Sequence, residues 1–83
     1  MSTQFAQEGG KRIIRSCVSG CLVDIDLVGG SGFIVFPSLA ALTNSIALIR
    51  LTVARWCAEA GRKSIELSYY VSQRCVGTEL IAY

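Results

Sequence analysis

Asp24 and Asp26 are the first pair in this chain whose spacing could do chemistry. They sit two apart in a run that alternates apolar and polar residues, so in extended backbone both project from one face of a strand. Paired carboxylates so placed could bind a divalent cation or act as an acid and base. No third carboxylate lies near in sequence, and Arg15 on the neighbouring run is placed to neutralise Asp24, so the pair reads as structural. Cys17 and Cys21 have the spacing of half a zinc site. A second pair is lacking, the chain has no histidine, and a tight turn between the two would point them to opposite faces. Cys21, Cys57 and Cys75 read as small core residues, and Cys17 as the thiol most open to reaction.

The glycines of Val28-Gly29-Gly30-Ser31-Gly32 match neither the Walker pattern nor a dinucleotide fingerprint, and a hairpin turn accounts for them. Serine, cysteine and lysine nucleophiles are present, but none has a histidine or another recognisable base nearby in sequence. The expectation is a protein that is not an enzyme and that needs no metal and no cofactor.

A basic set suited to phosphate contacts can be drawn from Lys11, Arg12, Arg15, Arg62 and Lys63. A net charge of +2 is too small to imply nucleic acid alone. A helix-turn-helix sketched over Val53 to Val71, with Gly61 at the turn, fails on its second half: Ile65 to Val71 repeats every two residues. Of the rings that could stack on bases, Trp56 and Tyr69 fall on core faces, which leaves Tyr70.

The elements that must position these residues are organised around Ser38 to Ala60, the only segment long and periodic enough for a confident helix. Ser38 after Pro37 suits the N-cap, and Gly61 suits the left-handed C′ position. Steps of 100° place Leu39, Leu42, Ile46, Ile49, Val53, Trp56, Cys57 and Ala60 on one stripe, the core face. The far side carries Asn44, Arg55 and Glu59 together with Leu48 and Leu51, beside a strip of small residues at Ala40, Ala47, Ala54 and Ala58.

Before the helix, residues 12–18, 21–28 and 32–36 are short β-branched runs, with two-residue turns expected at Ser19-Gly20 and Gly29-Gly30. That register sets Ile25 opposite Ile34, Val23 opposite Phe36 and Ile14 opposite Ile25, with Arg15 paired to Asp24. After the helix, residues 64–76 and 79–83 read as strands joined at Gly77-Thr78. The expected fold is a single small α+β domain over residues 11–83: β-β-β-α-β-β, an antiparallel sheet with one amphipathic helix across one face. Residues 1–10, ending in Gly9-Gly10, read as a mobile arm.

A single helix covers one face of a sheet and leaves the other open. That open face would hold Ile13, Cys17, Leu22, Val28, Phe33 and Val35 among Arg15, Asp24 and Asp26. Hydrophobic residues make up 52% of the chain and charged residues 17%, more apolar content than one small core requires. Leu27 to Ile49 is uncharged and long enough to span a bilayer, but its glycines, proline and polar residues break it into strand, turn and helix. With no signal peptide legible at the start, the expected compartment is the cytoplasm.

The sequence therefore points to a protein-interaction module that self-associates and acts by binding another protein, with Ile13, Cys17, Leu22, Phe33, Val35, Leu48 and Leu51 as its interface. In size and lack of catalytic groups it resembles the small inhibitors that phages and other mobile elements encode against host proteins. A basic nucleic-acid-binding dimer is the alternative, and a membrane-associated protein the second alternative.

Overall fold

The computed structural model describes residues 14–16 and 18–82. The expected arm over residues 1–10 lies outside them, as do Lys11, Arg12, Ile13, Cys17 and Tyr83. Strands β1 (Leu22–Asp26) and β2 (Ser31–Phe36) lead into helix α1 (Leu39–Glu59), which is followed by β3 (Ser64–Val71) and β4 (Arg74–Ala82). They form an α+β fold, a four-stranded sheet in the order β1-β2-β3-β4 with α1 packed on one face. The sheet is mixed rather than antiparallel: the β1–β2 and β3–β4 pairs are antiparallel, and β2 and β3 run parallel. A parallel neighbour needs a crossover, and α1 supplies it.

Both helix caps form as expected. The Ser38 hydroxyl accepts from the Ala41 amide at 3.1 Å. At the other end Gly61 has φ of +70°, and the amides of Gly61 and Arg62 donate to the carbonyls of Ala58 and Cys57, a Schellman closure. Ile49, Val53, Trp56 and Cys57 are buried against Val23, Ile25, Ile34, Phe36, Ile65, Leu67 and Tyr69 of the sheet. Leu42, Ile46 and Ala60 of the expected stripe are partly buried, while Leu39 is 61% exposed. A helix of 21 residues is roughly 30 Å long, about the length of the nine-residue β4. Leu39 in the first turn of α1 borders the edge strand β4, with Val76 to Glu79 as the facing wall. Among the described residues no helix is long and apolar enough to cross a membrane.

Three local expectations need correcting. The run expected as a first strand is helical over residues 14–16, and the Val18 amide donates to the Ile14 carbonyl at 3.0 Å. Ile14 and Val18 share a face in either conformation, so burial of both suits a helical turn as well as a strand. That turn caps the core, and the cross-strand pairing of Ile14 with Ile25 and Arg15 with Asp24 does not occur. The Ser19-Gly20 turn does form, with Gly20 at φ +80° and the Cys21 amide bonded to the Val18 carbonyl at 3.2 Å, but it leads from a helical turn into β1.

The second correction concerns register. Val23 pairs with Ile34 and Leu22 with Val35, two residues from the expected alignment. The Asp26 carboxylate accepts from the amides of Val28 and Gly29, both at 3.0 Å, and so holds a four-residue loop in place of a tight two-residue turn. A slip of two leaves every side chain on its expected face.

The third lies after the helix. The last hairpin turns at Ser72-Gln73, not Gly77-Thr78, with Ser72 at φ +57°. Turning earlier extends the ladder from Ser64 opposite Ala82 to Val71 opposite Arg74, and Gly77 lies beside a bulge opposite Tyr69.

Arg62 ties these parts together. Its guanidinium donates to the carbonyls of Val28 (3.1 Å) and Ser64 (2.9 Å), joining the first hairpin loop to the entry of β3. It lies where a side chain on Gly30 would have to go, and Gly30 has φ of +83°. Gly30→Ala should therefore cost at least about 1–2 kcal/mol in urea unfolding, the cost of left-handed backbone for alanine, and more if Arg62 is displaced. Ile49→Ala, which opens a cavity in the centre of the core, should cost about 2–5 kcal/mol by the same measurement.

Candidate interaction site

Two separate surfaces carry the exposed apolar residues. The first is the outer sheet face. Leu22, Val35, Tyr70 and Cys75 form one row across the four strands, followed by a row of Asp24, Phe33, Ser68 and Thr78. Phe33 and Tyr70 meet edge to face with ring centroids 6.1 Å apart. Both rings and Val35 are half-buried, Leu22 is exposed, and the Ser68 and Thr78 hydroxyls bond at 3.2 Å. The placement of Leu22, Phe33 and Val35 on this face agrees with the sequence reading. Val28 does not join them: it stands exposed in the hairpin loop. Cys75 is exposed rather than in the core, because the earlier turn puts it on β4. Cys57 is buried, and burial pushes its thiol pKa up.

The second surface was only half legible. Leu48 and Leu51 are exposed on α1, as expected. Leu51, however, borders a groove between the helix and the edge strand β4, lined by Arg50, Ala54, Glu79, Ile81 and Ala82. Towards the helix N-terminus the groove continues for about 280 Å³ between Leu39, Leu42 and Ile46 on one wall and Val76 to Glu79 on the other. Gly77 offers no side chain to fill it, and Leu39 consequently stays open.

A polar link crosses the middle of the groove. Arg50 donates to both carboxylate oxygens of Glu79, at 2.8 and 3.1 Å, and the Tyr69 hydroxyl donates to the same carboxylate. The hydrogen bond from Arg50 is the main influence holding the Glu79 carboxyl below its usual range, opposed by partial burial and aided by Tyr69. Burial, with the bond to Glu79, keeps the Tyr69 phenol protonated to unusually high pH. The sequence signal for this link is Glu79 itself. It sits two residues before the buried Ile81, hence on the inward face of β4.

Three members of the basic set, Arg15, Arg62 and Lys63, fall among the described residues. Arg15 and Lys63 are exposed, whereas Arg62 is half-buried and committed to two backbone carbonyls. Among the described residues no group of three His, Cys, Asp or Glu side chains could hold a metal ion. No protein-family model, curated protein or solved structure matches the chain.

The lowered Glu79 pKa implies a stability contribution that is present above the usual carboxylate pKa of about 4.3 and lost as pH falls through the lower folded value. In thermal melts at a series of pH values, Glu79→Gln should lie below wild type near neutrality, with the gap closing on acidification. For Tyr69 the sign is reversed: its contribution is present below the usual tyrosine pKa of about 10 and declines as pH rises past it, so the loss on alkalinisation should shrink in Tyr69→Phe.

Proposed function

We propose that this chain is a non-enzymatic protein-interaction module that self-associates and acts by binding another protein. One observation carries the reading. Of the seven large hydrophobic residues that stand exposed among the described residues, Leu39, Leu51, Val76 and Leu80 lie on β4 or on the part of α1 that borders it. Single exposed leucines are ordinary on any surface; four gathered along one edge of a chain this small mark a contact surface. The outer-face cluster of Leu22, Phe33 and Val35 offers a second surface on the far side of the sheet from the helix. Size and binding surface together suit an inhibitor that works by occupying its target. The nucleic-acid alternative draws less support, since Arg62 is spent on backbone carbonyls.

Light scattering across a range of concentrations tests the reading. The expected mass is at least twice the 8.9 kDa of one chain, and a mass of 8.9 kDa at every concentration would count against self-association. Leu51→Glu should lower the mass with the far-UV circular dichroism unchanged, since Leu51 is 66% exposed and contributes little to the core. A gel shift at low salt, where phosphate contacts are strongest, would instead revive the nucleic-acid alternative.

A further inference from the structure

We infer that the occupant of the β4 edge is a second copy of this chain, joined by antiparallel pairing of β4 with β4 about a two-fold axis at Thr78. The inference rests on the self-associating reading above and adds its geometry. Two sheets of four strands would become one continuous sheet of eight.

The edge is open and unusually long. β4 spans nine residues, comes last in the strand order, and pairs only with β3, so backbone groups along its other side have no strand partner among the described residues. The usual edge protection is largely missing. β4 contains no proline and no lysine, Arg74 stands at its very start, and the one inward charge, Glu79, is already bonded to Arg50 and Tyr69. The bulge lies near the Arg74 end.

β4 is also its own complement. Thr78 is the midpoint of Arg74–Ala82, and a two-fold axis there pairs residues 76–80, up to the bulge at Val76. Thr78 then faces Thr78, a favourable cross-strand pair, and Val76 faces Leu80, both exposed in the single chain. Glu79 faces Gly77, so the charged side chain meets a residue without one, and like charges are kept apart. An axis at Glu79 would set two carboxylates against each other.

The helix fits the same axis. α1 rests on β3 and β4 more than on β2. With strands about 4.8 Å apart, a helix centred over β3 and β4 lies about one strand spacing from the new ladder, so the two helices come roughly 10 Å apart, the distance at which helices pack. The flank turned to the partner carries Arg50, Leu51 and Ala54; Arg50 is held down on Glu79, and Ala54 with Ala47 two turns before it leaves room for that approach. An unrelated peptide could use the strand edge but would leave this flank bare.

Disulfide trapping reads the axis directly. Residues facing each other across an antiparallel pair have Cα atoms about 4.5–5.5 Å apart, within disulfide reach. In a chain with Cys17 and Cys75 replaced by serine, Thr78→Cys should give a covalent dimer on mild oxidation. Leu80→Cys should not, its counterpart being Val76. Without the added cysteine, Leu51→Glu combined with Leu80→Lys should halve the solution mass with an unchanged far-UV spectrum. If wild type is a dimer whose mass those two changes leave intact while Phe33→Glu dissociates it, the β4 axis is overturned and the self-associating reading stands. A covalent dimer from Leu80→Cys but not Thr78→Cys overturns the Thr78 axis. A wild-type monomer at all concentrations overturns both the axis and self-association.

Discussion

Two strands that run parallel cannot be joined by a tight turn, and β2 and β3 are parallel. The chain must leave one end of the sheet and return to the other, and α1 is the route. Much of the architecture follows from that constraint. The helix must lie against the sheet it crosses, so Ile49, Val53, Trp56 and Cys57 meet Ile34, Phe36, Ile65 and Leu67 in the core. A hairpin hangs on each side of the parallel pair, which makes β1 and β4 the two edges. At the start of the helix Leu39 faces β4 across a groove that Gly77 leaves unfilled, and Leu39 and Val76 remain exposed.

The crossover also has to be locked where it ends. The Schellman closure at Gly61 reverses the chain, and Arg62 immediately reaches back to the Val28 and Ser64 carbonyls. A cation there lies just beyond the helix C-terminus, where the helix dipole favours it, and satisfies two loop acceptors at once. Gly30 belongs to the same arrangement: its carbonyl accepts from the Glu66 amide at 3.0 Å, and its missing side chain leaves room for the guanidinium. The first hairpin, the end of the helix and the start of β3 are thereby held as one unit. A residue that looked suited to phosphate is employed in holding the fold.

At the other edge the charges serve a different purpose. Glu79 points toward the helix from a strand whose neighbouring inward residue, Ile81, is buried. Left unpaired, a carboxylate at the margin of a core would be costly; Arg50 and the Tyr69 hydroxyl make it tolerable. The link fastens the middle of α1 to β4 and fixes the helix flank beside the strand edge. It leaves the outward side of β4 unobstructed, the side on which the proposed two-fold contact depends.

Much of this protein is determined by local sequence. Ser38 and Gly61 mark the helix because a hydroxyl before it and a residue without a side chain after it satisfy backbone groups that any helix leaves unpaired. Alternation put Leu22, Phe33 and Val35 on one face and Ile34 and Phe36 on the other, and a register slip of two could not alter that. Long-range partners decided the rest. The pattern of Ile14 and Val18 does not choose between helix and strand, because both residues share a face in either conformation, and residues 14–16 are helical in the fold. The last turn falls at Ser72-Gln73 rather than at the glycine because the full β3–β4 ladder outweighs a local preference. Whether β2 and β3 run parallel, and which strand is left with an open edge, depends on how the helix returns across the sheet; no stretch of the sequence encodes that by itself.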